Sequence, residues 1–452
     1  MASRALSRGR RAIDLSRQCF AQQRAISTVP RPQQRTAPKS LLAITRQVQS
    51  NRSAPVCFVR YASSSSTALQ KTPLHALHLR YGGNMVEFGG FEMPVQYSNK
   101  GIGENHKYVR EKCGLFDVSH MVQHQFTGPT VTAFLESITP SDLAGLNPFS
   151  STLSVLLLPT GGIIDDTIIT KHADDAFYVV TNAGCRDKDL AFFGEKVKAW
   201  NAKVGEGNQV RHDVIDRGLV ALQGPESAKV LGSMLAPGTS LDTLYFGQSV
   251  FATLLSQGDE VPVHIARGGY TGEDGFEISI PKEKTEQVTE SILAAEDKLT
   301  SLIGLGARDS LRLEAGMCLY GHDLNEDITP VEGALTWLVG KSRREKADFP
   351  GAETILKQIK EKPLKRRVGL IVTGAPAREG AIIKNKEGEK IGVITSGCPS
   401  PSLGKNIAMG YVDEKYKKNG TEVGVEVRGK IRAAVISKMP FVPSKYYKGE
   451  NA

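Results

Sequence analysis

The C-terminal part of the chain carries the pattern that most restricts its fold. After residue 367, short apolar runs are separated by turns that contain glycine, asparagine and proline. Six of these runs are predicted to be strands: residues 368–372, 382–384, 391–395, 407–411, 422–427 and 433–436. Because short strands at near-regular spacing are typical of small barrels, the sequence predicts a β-barrel at this end.

Helix and strand patterns alternate through the middle of the chain, in two successive units. The first unit opens with residues 115–126, predicted as one continuous strand, and ends in a helix at residues 186–200; the second covers residues 214–295. The order of strands and helices suits a ferredoxin-like sandwich with one added strand. Before them, residues 72–79 are predicted as a short helix capped by Thr72. A length of 452 residues fits roughly three domains. The helix and strand patterns together predict an α+β protein.

Positive charge is concentrated at the N-terminus. Residues 1–70 contain eleven arginines, one lysine, one aspartate and no glutamate, whereas the rest of the chain has a net charge of −2. An arginine- and serine-rich, acid-poor N-terminus is typical of an organelle transit peptide. A basic disordered arm that binds nucleic acid is the alternative. The nearly neutral remainder gives no indication of nucleic-acid binding, and no apolar run reaches the roughly 18 residues of a membrane span.

The six cysteines are widely spaced along the chain. Two of them lie in the basic N-terminal segment, and no Cys-x-x-Cys pair occurs among the other four. This spacing argues against a zinc site and against a disulfide framework. We expect isolated buried thiols in a reducing compartment. The N-terminal pair is Cys19 and Cys57, and the others are Cys113, Cys185, Cys318 and Cys398.

Two adjacent aspartates stand inside a run of β-branched apolar residues, Asp165 and Asp166. Side chains alternate between the faces of a strand, so the two carboxyl groups must point in opposite directions. Asp166 is expected to share a face with Ile164 and Ile168, two predicted core positions. A carboxylate on an apolar face costs several kcal/mol, or shifts its pKa, unless it is paired. The alternative is a β-bulge or strand end at which both acids reach water.

A segment dense in glycine and acid, residues 267–278, suggests a ligand-binding strand end. Its glycines allow a close approach of the backbone to a ligand. Glu277 alternates with Phe276 and Ile278, so it faces away from the apolar side, where it could accept a bidentate pair of N–H donors. A solvated turn with incidental acids is the alternative. No Gly-x-Gly-x-x-Gly fingerprint for a dinucleotide occurs in the chain.

Two arginines lie one helical turn apart, Arg308 and Arg312, among apolar residues. A guanidinium in this position could clamp a planar carboxylate or carbonyl group. A structural ion pair with a nearby acid is the other interpretation, and the pattern by itself favours it. Further along, residues 395–403 are predicted as a small hydroxyl-rich loop, and the aromatic tail at 438–447 either covers a groove or only packs.

Together these motifs resemble the glycine cleavage system T-protein family of folate-dependent aminomethyltransferases. The similarity extends over residues 71–447 and rests on ordered motifs: FDVSHM at 116–121, GGIIDD at 161–166, TNAGC at 181–185, ALQGP at 221–225, GYTGEDGFEIS at 269–279, ARDSLRLEAG at 307–316, TPVEG at 329–333, TSGCPSP at 395–401 and KMPFVP at 438–443. The resemblance implies a three-lobed ring of two ferredoxin-like α/β sandwiches and a small β-barrel, with folate in the central hole.

The family's architecture also implies domain bounds for this chain. The first lobe would be discontinuous, comprising residues 69–117 and 212–340. The second lobe would cover residues 118–211, and the barrel lobe residues 341–447. Residues 1–68 would be a mitochondrial transit peptide and leader, which implies a location in the mitochondrial matrix.

The resemblance further implies an activity and a set of site residues. A lipoylated H-protein would carry an aminomethyl group whose methylene passes to tetrahydrofolate, with release of ammonia, within a glycine cleavage complex that includes P-protein and L-protein. Neither metal nor flavin is implied, and neither a nucleic-acid nor a membrane partner. Asp166 would be the catalytic aspartate. The folate pocket would consist of Glu277, which binds the pterin's amino edge, with Arg308, Tyr446, Met121 and Asn182.

One alternative within the same fold stays open at this point. A folate-binding assembly factor without transferase activity would share the architecture. The iron–sulfur assembly relative carries a Lys-Gly-Cys-Tyr-x-Gly-Gln-Glu signature, whereas this chain has GGYTGED at residues 268–274. The motif therefore favours the transferase.

Overall fold

The computed structural model describes residues 68–98 and 100–449. The predicted transit segment, with Cys19 and Cys57, lies outside the described residues except for its last residue. The described helices are α1 (His75–Arg80), α2 (Ile102–Glu111), α3 (Val131–Glu136), α4 (Arg186–Val204), α5 (Ser227–Gly232), α6 (Thr285–Ala294), α7 (Leu305–Glu314), α8 (Lys341–Lys346) and α9 (Ala352–Glu361).

Strands form most of the framework. In chain order they are β1 (Gly83–Phe88), β2 (Phe91–Tyr97), β3 (Cys113–Asp117), β4 (Val122–Thr127), β5 (Ser150–Leu157), β6 (Ile163–Ala173), β7 (Ala176–Thr181), β8 (Arg211–Ile215), β9 (Arg217–Gln223), β10 (Ser249–Ser256), β11 (Asp259–Arg267), β12 (Gly275–Pro281), β13 (Thr300–Leu302), β14 (Lys365–Val372), β15 (Ile382–Lys384), β16 (Lys390–Ser400), β17 (Lys405–Asp413), β18 (Glu422–Val427) and β19 (Lys430–Ser437).

Two mixed α/β units and a barrel contain all of these strands except β1 and β2, which form a separate two-stranded sheet. One sheet has six strands in the order β10-β11-β12-β9-β3-β13, and another has five in the order β5-β6-β7-β4-β8. The six C-terminal strands close into a barrel in the order β14-β17-β16-β15-β18-β19. The predicted α+β class and the C-terminal barrel are thereby confirmed. The residue bounds of the three lobes stay a prediction.

Each unit has its own apolar core because each sheet buries one face. Under the six-stranded sheet, Leu222, Phe276 and Ile278 are fully buried together with Val288 of α6. Under the five-stranded sheet, Phe126 and Phe193 are buried. Burial of this kind contributes on the order of 2 kcal/mol for each large side chain.

The predicted continuous strand at residues 115–126 is wrong. A turn at residues 118–121, closed by a hydrogen bond of 3.0 Å from the Met121 N–H to the Val118 carbonyl, separates β3 from β4. The two strands belong to different sheets. Alternation of apolar residues does not distinguish one strand from two that meet at a turn, so the sequence pattern could not show this break.

Two further local predictions need correction. The first helix begins at His75 and not at Thr72, whose hydroxyl donates to Asp117 at 2.7 Å instead of capping the helix. Residues 395–400 belong to β16 and are not a loop. Their hydroxyls are held by buried acids: Thr395 donates to Asp323 at 2.5 Å, and Ser400 donates to Glu314 at 2.5 Å.

The two sheets meet at a buried polar junction. Gln123 of β4 accepts hydrogen bonds from Tyr178 of β7 at 2.9 Å and from Ser279 of β12 at 2.6 Å. Because Ser279 is two residues beyond Glu277 on the same strand, the junction places that face of β12 against the five-stranded sheet. This arrangement places the strand that carries Glu277 against the five-stranded sheet, which carries the aspartate pair.

Candidate active site

A β-bulge sets the orientation of the two aspartates. Leu156 of β5 pairs with Asp165, but Leu157 pairs with Ile163, so Ile164 is an extra residue in β6. Ile164 is consequently buried in the core of the five-stranded unit, on the same side as Ile169. The expectation that Ile164 and Asp166 share a face was therefore wrong. The bulge is present, but it does not expose both acids, since Asp165 is 0% exposed and Asp166 only half-buried.

Asn182, which follows the end of β7, binds both carboxyl groups. Its backbone N–H donates to Asp165 Oδ2 at 2.9 Å, and its Nδ2 donates to Asp165 Oδ1 at 2.9 Å. The same Nδ2 lies 3.1 Å from Asp166 Oδ1 and 3.1 Å from the Asp166 carbonyl oxygen. One amide side chain thus fixes both acids.

Burial and neighbouring acids raise the pKa of both aspartates. Burial raises the pKa of Asp166 to about 7, with further contributions from Asp165 and Asp323, while Asn182 opposes the rise. Burial raises the pKa of Asp165 well above its usual value, and Asp189 adds to the effect. A carboxyl group with a pKa near neutrality is able to accept or return a proton at physiological pH.

Glu277 and Arg308 face the site without satisfied partners. Among the described residues no donor binds the Glu277 side chain, which is half-buried on β12, and burial raises its pKa while Arg308 lowers it. Arg308 on α7 makes no ion pair in the described chain: it contacts Met121 Sδ at 4.0 Å and lies 4.9 Å from the centre of the Tyr270 ring. Half-buried groups with unused hydrogen-bonding capacity are suited to a polar ligand.

Tyr270 joins the two parts of the site and was not identified from the sequence. Its hydroxyl donates to the Cys318 carbonyl oxygen. Burial raises the pKa of the phenol, and Asp166 raises it further, whereas Arg312 and Arg308 lower it. The ring therefore lies within electrostatic reach of both Asp166 and Arg308. The one indication in the sequence that Tyr270 belongs to the site was its position inside the glycine-rich motif at 269–279.

Tyr446 takes its position from the C-terminal tail. Its ring stacks on Phe246 with centroids 4.0 Å apart, and the tail is held by a hydrogen bond of 2.8 Å from the Lys445 N–H to the Gly272 carbonyl. The tail thus packs along the glycine-rich segment of the six-stranded unit. The structure places Asp166 in contact with Asn182. It also places Arg308 in contact with Met121 and close to Tyr270, whereas Tyr446 contacts Phe246.

Arg312 has the structural role that the sequence pattern favoured. Its guanidinium donates to Asp323 at 2.7 Å and pairs with Asp309 at 2.8 Å. Asp323 is 1% exposed and was not identified from the sequence. Because Asp323 raises the pKa of Asp166, this ion pair also contributes to the electrostatics of the site.

Thiols and metal ligands are not assembled into a site in the described part of the chain. Its four cysteines are free and buried, as predicted. Burial raises the pKa of Cys185 and of Cys318, so both are poor nucleophiles at neutral pH. Among residues 68–98 and 100–449 no group of three histidine, cysteine or acidic side chains is arranged around a metal position. None of the helices in these ranges has the length and apolarity to cross a membrane.

Comparison with known proteins agrees with the fold. Residues 74–343 match the GCVT N-terminal domain, and residues 365–443 match the glycine cleavage T-protein C-terminal barrel domain. A protein of Schizosaccharomyces pombe named probable aminomethyltransferase, mitochondrial, is 48% identical over 400 residues, which cover 88% of this chain and 100% of the relative. The mitochondrial aminomethyltransferase of Homo sapiens is 46% identical over 393 residues, which cover 87% of this chain and 95% of the relative.

A solved structure has the same architecture. The glycine cleavage system aminomethyltransferase T from Bartonella henselae matches with a TM-score of 0.76 and 40% sequence identity, covering 84% of this chain and 100% of that one. Two α/β units and a closed C-terminal barrel define the class of fold, which is that of the T-proteins. The chain belongs to the glycine cleavage T-protein family.

Proposed function

We propose that this chain is an aminomethyltransferase of the glycine cleavage system that acts in the mitochondrial matrix. It takes the methylene carbon of an aminomethyl group bound to the lipoyl arm of an H-protein and transfers it to tetrahydrofolate. The observation that carries the assignment of the site is the clamped Asp166, whose pKa is raised to about 7 in a chain of this family.

The reaction replaces the sulfur and the nitrogen bound to one methylene carbon with two folate nitrogens. The bonds from the carbon to sulfur and to the amine nitrogen break, and bonds to two folate nitrogens form. Each folate nitrogen loses one proton; one proton is taken by the lipoyl sulfur and the other by the departing ammonia. The products are 5,10-methylenetetrahydrofolate, ammonia and dihydrolipoyl H-protein, with no net oxidation or reduction.

Asp166 is placed to serve this exchange in two ways. When the carbon–sulfur bond breaks, the carbon becomes iminium-like, and a fixed carboxylate stabilises the positive charge. With a pKa of about 7, the same group is able to hold a folate N–H proton and pass it on. Asn182 holds the carboxylate in one orientation throughout, through the 3.1 Å contact to Oδ1.

The unpartnered groups supply the folate pocket. Glu277 accepts two N–H donors of the amino-pyrimidine edge, as carboxylates do in bidentate pairs. Arg308 offers donors to the ring carbonyl, with Met121 along the wall of the pocket and Tyr446 completing it. The half-buried positions of these side chains support the assignment.

Relatives and N-terminal composition support the location and partners. The relatives are named mitochondrial, and residues 1–70 have the composition of a transit peptide. The proposed partner is the lipoylated H-protein, which acts with P-protein and L-protein in the glycine cleavage complex. The chain needs neither metal nor flavin for this exchange.

Ammonia release from aminomethyl-loaded H-protein tests the proposal. Asp166→Asn should lower the single-turnover rate by about 10²–10⁴-fold, because it removes the charge and the proton acceptor while the side chain keeps its shape. Tetrahydrofolate binding, measured by calorimetry, should stay within a few-fold of wild type. Asp175→Asn, an exposed aspartate on the turn after β6, is the matched control and should leave the rate unchanged.

Two results would contradict the proposal. Full turnover in Asp166→Asn would remove the catalytic assignment. Folate binding by the wild-type protein without ammonia release would indicate the folate-binding assembly factor instead. Sequencing the N-terminus of the protein isolated from mitochondria tests the location, since removal of the basic segment is expected.

A further inference from the structure

A third buried acid lies beside the aspartate pair, and its carboxylate lacks a hydrogen-bond donor among the described residues. Asp189 belongs to the first turn of α4 and is 0% exposed. Neither of its carboxylate oxygens receives a hydrogen bond from the described residues. The neighbouring polar groups are the carboxyl group of Asp165 and the hydroxyl of Thr181, and the Thr181 oxygen lies 3.1 Å from His124 Nε2 and makes no hydrogen bond to Asp189. Asp189 therefore faces another buried acid.

Two buried carboxylates in contact cannot both be ionised at low cost. Two unit charges about 4 Å apart repel each other by several kcal/mol at the effective dielectric of a protein. A single proton between them removes the repulsion and also supplies the donor that Asp189 otherwise lacks. The lack of a donor to the Asp189 oxygens is thus explained if one of the two carboxyl groups is protonated.

The surroundings decide which member holds the proton. Asp189 lies at the N-terminal turn of a 19-residue helix, where the backbone N–H groups stabilise negative charge. Asp165 lies directly beside Asp166, where a second negative charge is unfavourable. Burial raises the pKa of Asp189 only to about 6, and Lys188 lowers it, whereas the pKa of Asp165 rises well above its usual value.

We propose that Asp189 is a positioning residue for the transfer reaction: it accepts a hydrogen bond from a protonated Asp165 and so keeps a neutral group beside Asp166. The inference rests on the proposed function, in which Asp166 acts as the carboxylate. A neutral Asp165 still accepts both hydrogen bonds from Asn182, which are 2.9 Å each. Asp166 is then free to ionise near neutral pH because the negative charge is on Asp189 and not on the adjacent Asp165.

Other charged and titratable groups around these three acids also affect which of them is ionised. Those coupled to Asp165, Asp166 or Asp189 in the described part of the chain are Cys185, Lys188, Tyr270, Cys318, Tyr320 and Asp323. Lys188 is the one cation among them, and it is held by Tyr320 at 2.8 Å and by Glu326 at 3.0 Å. It favours charge on its neighbour Asp189 rather than on Asp165.

Infrared spectroscopy of the purified protein labelled with ¹³C-aspartate tests the shared proton without reference to activity. At pH 8 the wild-type protein should show the carbonyl stretch of one protonated aspartic acid. The band should be lost in Asp165→Asn and in Asp189→Asn, and it should persist in Asp166→Asn and in Asp187→Asn. Asp187 is an exposed aspartate in the same helical turn and is the matched control.

The pH dependence of the single-turnover rate adds a second readout. In Asp189→Asn the full charge moves to Asp165, so the acidic limb of the profile should shift upward by about one pH unit. In Asp165→Asn a neutral side chain remains beside Asp166, so the limb should keep its wild-type midpoint. A purely structural role for Asp189 would lower the rate without moving the limb.

The failure of this inference differs from failure of the proposed function. Absence of a protonated aspartic acid at pH 8 in the wild-type protein would overturn the shared proton, and this measurement needs no variant to fold. A downward shift of the limb in Asp165→Asn would show that Asp165 is ionised in the wild type and would also overturn it. Loss of the assigned role of Asp166 would appear only in the turnover experiment.

Discussion

At the scale of single residues, the site depends on carboxyl groups that are kept partly protonated by their surroundings. Asp166 is half-buried, lies next to Asp165 and has a pKa raised to about 7. An aspartate whose pKa is higher in the folded than in the unfolded state stabilises the fold at low pH. That stability is lost as the pH rises from about 4 through about 7. The reactive charge of Asp166 therefore has a cost in stability.

Asp166→Asn is accordingly expected to make the protein more stable although it lowers the rate of turnover. The neutral amide removes the penalty of a buried charge, so the melting temperature should rise by about 2 °C or more at pH 8 and by less at pH 5. Differential scanning calorimetry at the two pH values measures the effect. An equal change at both would show that the pKa of Asp166 is not raised.

Glu277 is expected to determine folate affinity rather than the rate of transfer. Because no described residue satisfies its carboxylate, Glu277→Gln should weaken tetrahydrofolate binding roughly 10- to 100-fold, the loss of charge-assisted hydrogen bonds. Turnover at saturating folate should change much less. Calorimetric titration checks this, with the exposed Glu283→Gln as the matched control. Unchanged affinity would remove Glu277 from the pocket.

At the scale of elements, the hairpin between β5 and β6 places the aspartates. The chain turns at Gly161 and Gly162 and then enters the bulge at Ile164. Gly162 packs so closely against the segment before Ile328 that a Cβ atom would lie 1.8 Å from the Glu326 carbonyl oxygen. Only glycine permits this contact. Packing therefore explains Gly162, whereas Gly161 has a φ of 93°, a conformation that favours glycine.

Gly162→Ala should disturb the hairpin and the site together. The clash with the Glu326 backbone has to be relieved by a shift of one segment, at a cost of about 1–3 kcal/mol. Thermal unfolding and single-turnover kinetics measure the two effects, and both values should fall. Gly184→Ala, where a Cβ atom would meet nothing within 4 Å, is the control with an expected small effect.

At the scale of the whole molecule, Glu314 at the end of α7 joins the barrel to the six-stranded unit. It accepts hydrogen bonds from Arg110 at 2.8 Å and from Ser400 of β16 at 2.5 Å, and it lies 3.0 Å from His106. Burial would raise its pKa, but His106 and Ser400 outweigh this and hold the pKa at about 2. A carboxylate with a lowered pKa stabilises the fold above about pH 4.5, and this stability is lost as the pH falls toward 2.

Glu314→Gln should therefore loosen the attachment of the barrel. The substitution removes one of the two carboxylates that pair with the largely buried Arg110 and leaves only Glu273, at a cost of roughly 1.5–3 kcal/mol at pH 7. The difference in unfolding free energy from wild type should shrink as the pH is lowered from 4.5. Urea denaturation over this range tests it, with the exposed Glu345→Gln as control. A difference independent of pH would contradict the assigned charge state.

The sequence by itself determined the class of fold, the barrel and the family, because periodicity, turn residues and ordered motifs are local properties of the chain. The residues alone indicated the aspartate pair, a glutamate and the arginine pair as candidates, and the resemblance then selected Asp166, Glu277 and Arg308. The resemblance supplied Tyr446, Met121 and Asn182. The roles of these six residues remain predictions until the variants are measured.

Only the tertiary structure decided which of these groups act on one another. The bulge at Ile164 could not be read from alternation, because one extra residue reverses the faces that follow. Tyr270, Asp323 and Asp189 were missed because their importance comes from burial beside residues that are distant in sequence. Charge coupling falls steeply with distance and grows with burial, so it exists only once the chain has folded.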